Sequence, residues 1–271
     1  MELLIFSREE EKDMRIGILG AGKMGMAIVY GLLDKKLFTK DEIFLAARSN
    51  RDELVNQGFK VLDIKTLYQN VDILVLAIKP QGFLEVLSEL KDIEGAKRII
   101  SIAAGIKIDF IEKYIKNKEY VRVMPNTPSM IGLGANAICF KNVSSKQIYF
   151  DIFNSIGLTK EIQESQMDDI IPANGSMPAY LYYFADSFIK SSVSRGIDYE
   201  TAKELVCQAI IGSAQMILQA NKPISELIND VCSKGGTTIE GLKILQEKDF
   251  ELIIDECCKA CVNRSIELSK K

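Results

Sequence analysis

Residues Arg15–Gly31 read R-I-G-I-L-G-A-G-K-M-G-M-A-I-V-Y-G. Ile16, Ile18 and Leu19 form a short apolar run, which suits a strand buried on both faces of a parallel sheet. Gly20, Gly22 and Gly25 follow with the spacing G-x-G-x-x-G. Met26–Leu33 is apolar and free of Pro, so a helix comes next. Strand, glycine turn and helix in that order are what a dinucleotide-binding turn requires. Gly20 permits the tight turn, Gly22 lets backbone approach a pyrophosphate, and Gly25 lets helix and strand pack closely. The helix start offers unpaired N–H groups and a partial positive charge to phosphates. The bland alternative is a glycine-rich turn with no ligand.

The next strand is expected at Glu42–Ala47. Its end falls about 20 residues beyond Gly25, where an acid would hold the ribose of NAD. No acid stands there; the sequence is Ala46-Ala47-Arg48-Ser49-Asn50-Arg51. Two guanidiniums flanking a hydroxyl and an amide suit a 2′-phosphate. NADPH is therefore the expected cofactor, with NADH as the alternative, and Arg48 is a better candidate than Arg51, which reads as a solvated loop residue. Further strands are expected at Val71–Ile78, Ile99–Ile102, Tyr120–Met124, Ala135–Phe140 and Leu158–Ile162. Small residues at Ala103-Ala104-Gly105 leave room for a ligand at the carboxyl edge of the sheet.

From about Gln166 the periodicity turns helical, with helices expected at Ala179–Ser194, Tyr199–Ala220, Ser225–Cys232, Thr238–Glu247 and Phe250–Ser269. The fold class is therefore α/β: an N-terminal dinucleotide-binding domain at 14–165, then an all-helical region at 166–271. Residues 1–13 read as a flexible extension, or as an upstream start with Met14 as the alternative; Glu9, Glu10 and Glu11 do not suit a signal peptide. Apolar helices such as the stretch Leu181–Ile189 suggest that the helical region completes its core against another subunit.

Composition narrows the chemistry. The 271 residues carry a net charge of −3 with scattered basic residues, which argues against a nucleic-acid footprint. No apolar stretch approaches the ~20 residues needed to span a bilayer, so no membrane partner is expected and the cytoplasm is the expected compartment. The six cysteines are expected as reduced thiols, and Cys257, Cys258 and Cys261 as buried small hydrophobes rather than metal ligands, so no metal is expected. The chain has no histidine, which closes the acid–base route common in hydroxy-acid dehydrogenases.

Two polar, glycine-containing stretches interrupt the helical half. In Asn174-Gly175-Ser176-Met177-Pro178-Ala179-Tyr180, Ser176 is placed to cap the next helix, with Pro178 in its first turn. In Ser233-Lys234-Gly235-Gly236-Thr237-Thr238, two glycines precede two hydroxyls at a helix start, an arrangement suited to an anion such as a substrate carboxylate. The bland reading of both is two helix caps.

Several motifs together resemble the pyrroline-5-carboxylate reductases, from about Met14 to the C-terminus: I-G-I-L-G-A-G-K-M-G, A-I-K-P at Ala77–Pro80, S-I-A-A-G at Ser101–Gly105, V-R-V-M-P-N-T-P at Val121–Pro128, and S-K-G-G-T-T-I-E-G-L at Ser233–Leu242. The resemblance implies a Rossmann domain followed by a helical domain that dimerises, often within larger rings of dimers. It implies that Ala77, Ile78, Lys79 and Pro80 and the stretch Ser101–Ala104, with Ala103 and Ala104, line the nicotinamide cofactor; Gly20, Ala21, Gly22, Lys23, Met24, Gly25, Arg48, Ser49 and Asn126 complete the expected cofactor site. Glu164, Ser176, Ser233, Gly235, Gly236, Thr237 and Thr238 would bind the substrate, Thr238 by a hydrogen bond to the ring nitrogen as the catalytic hydroxyl. The chain departs from the family pattern at Met177, where a glycine is usual, and at Lys234, where a proline is common. The implied reaction is reduction of 1-pyrroline-5-carboxylate to L-proline, the last step of proline biosynthesis. A protonated cyclic imine accepts hydride directly, which fits a chain without histidine. The alternatives are a β-hydroxyacid-type dehydrogenase, with Lys190 as its lysine, and a catalytically idle dinucleotide-binding relative.

Overall fold

The computed structural model describes residues 14–269; the expected extension at 1–13 lies outside them. In chain order the first elements are β1 (Ile16–Leu19), α1 (Lys23–Asp34), β2 (Ile43–Ala46), α2 (Arg51–Asn56), β3 (Lys60–Val61), α3 (Ile64–Asn70), β4 (Ile73–Leu76) and α4 (Phe83–Leu90). They continue with β5 (Arg98–Ser101), α5 (Ile108–Glu112), β6 (Glu119–Met124), β7 (Gly134–Lys141), α6 (Gln147–Asn154) and β8 (Gly157–Glu161). The strands lie in the order β3-β2-β1-β4-β5-β6-β7-β8. All neighbours are parallel except β6 and β7, which run antiparallel.

Sequence explains the central strands. Every residue of β1 and of β4 is buried, as apolar runs covered on both faces must be. Ile16, Ile18, Ile73, Val75, Ile100, Val121 and Val123 join Ile28 and Leu32 of α1 and Tyr149, Ile152 and Phe153 of α6 in one core cluster. Complete burial of such side chains contributes roughly 1.5–3 kcal/mol each. The chain order reverses direction at β1, between β2 and β4, which opens a crevice beyond the carboxyl ends of these strands. β3 lies outside the expected strand set: it has two residues, too few to show a period.

Arg122 on β6 is 1% exposed and faces two carboxylates, Glu164 at 3.8 Å and Asp168 at 3.6 Å. Its guanidinium nitrogens make no direct hydrogen bond among the described residues. Glu164 also accepts from the Ile108 N–H at 2.7 Å, and Asp168 from the Ser265 hydroxyl at 2.8 Å. Removing one partner of a buried pair leaves an uncompensated charge and costs several kcal/mol, about 3–5. Residues 164–168 and Ser265 are thereby tied to the sheet.

The chain divides into two compact units, one of residues up to Gly175 together with Val262 onward, the other Ser176–Cys261. Residues 166–175, placed in the helical region by periodicity, thus group with the sheet. The remaining helices are α7 (Met177–Val193), α8 (Tyr199–Gln219), α9 (Ile224–Asp230), α10 (Thr237–Glu247) and α11 (Phe250–Ser269). α7 packs on α8. Yet α7 buries only Pro178 and Ile189, and α8 only Ala202. Leu181, Tyr183, Phe188, Leu205 and Leu218 stand exposed, as a helical region that completes its core elsewhere would leave them. No described helix is long and apolar enough to cross a membrane.

Two local expectations are corrected. Ser176 occupies the N-cap position of α7, but its backbone is helical (φ −92°, ψ −21°) and its side chain makes no cap bond. A capping side chain reaches the second or third N–H from an extended N-cap; here the hydroxyl lies 3.3 Å from the Cys261 thiol instead. The thiols are all free, but Cys257, Cys258 and Cys261 are half-buried rather than buried.

Candidate functional site

The turn between β1 and α1 is built by contacts only glycine allows. Gly20 has φ +109°, and a Cβ there would meet the Ala77 carbonyl oxygen at 2.4 Å. A Cβ on Gly25 would meet the Gly20 carbonyl oxygen at 2.1 Å. At Gly22, by contrast, a Cβ would meet nothing within 4 Å. Gly22 is the N-cap of α1 and no side chain caps that helix. Its first N–H groups therefore face open space, where an anion is stabilised by the helix dipole.

That open space belongs to a cleft of about 1010 Å³ lined by Gly20, Ala21, Gly22, Ala46–Arg51, Ala77, Ile78, Lys79, Glu85 and Glu89, among others. Of the expected cofactor residues, Gly20, Ala21, Gly22, Arg48, Ser49, Ala77, Ile78 and Lys79 come together here. The described lining does not include Lys23, Met24, Gly25, Pro80, Ala103, Ala104 or Asn126. Gly25 acts from behind, through its contact with Gly20. Asn126 is committed to the framework: its amide donates to the Asn174 carbonyl at 3.3 Å and its oxygen accepts from the Ala135 N–H at 2.9 Å.

The two arginines at the end of β2 have different duties. Arg51 is exposed, as a solvated residue would be, but it also donates to the Val61 carbonyl at 2.8 Å and so braces β3. Arg48 is exposed and pairs with Glu85 of α4 at 2.7 Å. That hydrogen bond to Glu85 raises its pKa further above the ordinary arginine value. Glu85 and Glu89 were not among the expected site residues. The signal was present, since the helix after A-I-K-P starts at the cleft, but a glutamate on an amphipathic helix looks like any solvated face.

The second candidate lies at the start of α10. Gly236 is its N-cap, with extended backbone (φ −77°, ψ 163°) and no side-chain cap. Gly235 adopts φ +74°, and the Gly236 N–H donates to the Ser233 carbonyl at 2.9 Å. Ser233, Lys234, Thr237 and Thr238 are exposed beside these N–H groups. Ser233, Gly235, Gly236, Thr237 and Thr238 are therefore brought together at one uncapped helix start, a geometry suited to an anion. Glu164 and Ser176 are occupied elsewhere, by Ile108 with Arg122 and by Cys261. The Tyr180 hydroxyl, burdened by burial and by hydrogen bonding to Cys261 and Cys257, has its pKa pushed up to about 12. It stays protonated at any working pH. No group of three or more metal-ligating side chains occurs among the described residues.

Comparison with known proteins agrees with this layout. A family model described as pyrroline-5-carboxylate reductase dimerisation matches residues 164–268, and one described as NADP oxidoreductase, coenzyme F420-dependent, matches residues 15–105. The chain is 32% identical over 267 residues to the pyrroline-5-carboxylate reductase of Staphylococcus haemolyticus, covering 95% of this chain and 98% of that one. It is 36% identical over 265 residues to that of Aquifex aeolicus, covering 95% and 97%. Among solved structures, the pyrroline carboxylate reductase of Plasmodium falciparum with NADP bound superposes with a TM-score of 0.87 at 32% identity, covering 94% of this chain and 98% of that one.

Proposed function

The chain belongs to the pyrroline-5-carboxylate reductase family, and from that premise we propose that it reduces 1-pyrroline-5-carboxylate to L-proline with NADPH. The observation that carries the cofactor half is the cradle at Gly22: uncapped helix N–H groups open onto a cleft that ends at Arg48 and Ser49. These residues fit a dinucleotide, with the pyrophosphate at Gly20–Gly22 and the 2′-phosphate at Arg48 and Ser49.

NADPH, when bound, supplies a hydride to the carbon of the C=N bond. The uncapped turn at Gly235–Thr238 takes the substrate carboxylate through backbone N–H groups, and Lys234 adds a cation. Thr238 hydrogen-bonds the ring nitrogen, which enters as the protonated imine and leaves as the amine. No strong base is needed, in agreement with a chain that has no histidine. Positioning and charge complementarity carry the rate.

Family membership sets aside a β-hydroxyacid-type dehydrogenase. We further infer a homodimer, assembled into rings of dimers, in the cytoplasm; the exposed apolar side chains of α7 and α8 support the dimer. The test is NADPH oxidation on adding 1-pyrroline-5-carboxylate, with proline identified as product. NADPH binding without turnover would make the chain the catalytically idle relative, and turnover of hydroxy acids instead would end the assignment.

A further inference from the structure

We infer that Glu85 sets how far this chain prefers NADPH to NADH, by holding Arg48 on a carboxylate that a 2′-phosphate must displace. The inference rests on the assignment of the β1–α1 cleft to NADPH. Its basis is the division of charge around the end of β2. Among the described residues three cations line the cleft: Arg48, Arg51 and Lys79. Arg51 is fixed on the Val61 carbonyl at 2.8 Å, and Lys79 follows β4 rather than β2. Arg48 is thus the cation at the end of β2 with its guanidinium on the cleft side and no backbone commitment.

Arg48 is not idle. Its Nη2 sits 2.7 Å from the Glu85 Oε1, and both side chains are about two-thirds exposed (68% and 66%). A pair this open exchanges readily with another anion, since solvent screens it. Of the carboxylates in the lining, Asp63 is occupied in capping α3, where it accepts from the Thr66 N–H at 2.9 Å. Glu85 and Glu89 remain, one helical turn apart on α4, both on the cleft. A 2′-phosphate arriving at Arg48 therefore meets two like charges and must break one pair. A ribose bearing only a 2′-hydroxyl meets neither cost, and its hydroxyl can donate to Glu85. The same carboxylate that disfavours the phosphate is a partner for the hydroxyl, so Glu85 narrows the gap between the two cofactors.

The experiment uses the full chain and two nucleotide fragments, 2′,5′-ADP and 5′-AMP, titrated by calorimetry into the wild type, Glu85→Gln, and Glu85→Gln combined with Arg48→Ala. Glutamine keeps the shape and removes the charge. The expected result is that Glu85→Gln binds 2′,5′-ADP about two- to fivefold more tightly, with 5′-AMP unchanged or weaker. The gain disappears when Arg48 is also removed, and shrinks as salt is raised from low to physiological strength. Equal tightening for both nucleotides, no change for 2′,5′-ADP, or a gain that persists without Arg48 would each overturn the inference. Glu85→Ala, read alongside, separates loss of the carboxylate from any peculiarity of glutamine. The titration needs no imine, so a chain that binds these nucleotides as expected but fails to reduce 1-pyrroline-5-carboxylate would sink the proposed function and leave the role of Glu85 standing.

Discussion

A Cβ placed on Gly20 would lie 2.4 Å from the carbonyl oxygen of Ala77, so the turn after β1 is pressed against the end of β4 with no room for a side chain. Gly22, two residues on, faces open space. The two glycines therefore separate stability from binding. Gly20→Ala meets a backbone clash and a φ of +109°, and should cost at least about 2 kcal/mol. Gly22→Ala has an ordinary φ of −80° and should fold normally. Its methyl would stand where the pyrophosphate approaches; loss of one charge-assisted N–H contact weakens NADPH by about tenfold. Thermal unfolding and cofactor titration of the two variants check this. A Gly22→Ala variant with full affinity would remove the pyrophosphate from that position.

How much of this was legible in the sequence depends on the distance over which each feature is specified. β1, β4 and the glycine turn were readable because apolar runs and glycine spacing are local. The start of α10 was readable for the same reason: Gly-Gly before Thr-Thr is a backbone statement. β3 was not, since its two residues owe their pairing to β2. Nor was the use of Arg51, whose partner is a carbonyl on β3, or of Glu85, which reaches Arg48 only once α4 lies beside the end of β2. Arg122 sits in V-R-V-M like a solvated strand residue, and only Glu164 and Asp168 explain its burial. Ser176 looked like a cap; its choice of Cys261 required α11 to return to the start of α7.

The Tyr149 hydroxyl donates to Glu119 at 2.6 Å, Ser144 donates to the other oxygen at 2.6 Å, and Arg98 stands 3.4 Å away. Burial alone favours the protonated carboxyl, but the hydrogen bonds from Ser144 and Tyr149 outweigh it and lower the Glu119 pKa. A folded value below the unfolded one means stability that is present above the ordinary glutamate pKa and lost as pH falls through the folded value. Glu119→Gln should therefore be less stable than the wild type at pH 7, by about 1–3 kcal/mol. The deficit should hold down to about pH 5 and narrow below about pH 4. Denaturant midpoints taken across that range test it; a deficit that widens on acidification would contradict the lowered pKa.

Lys234, in the turn before α10, and Thr238, in the first turn of α10, should fail differently. In the proposed reaction the Thr238 hydroxyl holds the ring nitrogen during hydride transfer, so Thr238→Ala should lower kcat by about tenfold or more with little change in unfolding temperature. Lys234 contributes charge before the reaction, so Lys234→Ala should raise KM for the imine carboxylate, and raise it less at high salt. Steady-state kinetics at two ionic strengths resolve the two. An unchanged kcat in Thr238→Ala would take that hydroxyl out of the reaction.

Tyr183 on α7 and Leu218 on α8 are 77% and 76% exposed in the single chain. Leaving a large apolar side chain in water forgoes roughly 1.5–3 kcal/mol relative to burial, and the exposed set on these helices extends through Leu181, Phe188 and Leu205. A surface of that kind is retained where a second copy covers it. Both residues fall within the stretch 164–268 that matches the dimerisation family. Because folded subunits and assembly are then linked, the unfolding temperature should rise with protein concentration. Tyr183→Glu combined with Leu218→Glu would place two charges in the covered face and should shift the chain toward monomer in light scattering, with a lower unfolding temperature that no longer depends on concentration. A wild-type chain that is monomeric at micromolar concentration, with an unfolding temperature indifferent to dilution, would mean that these side chains are tolerated in water and that the helical unit holds together without a partner.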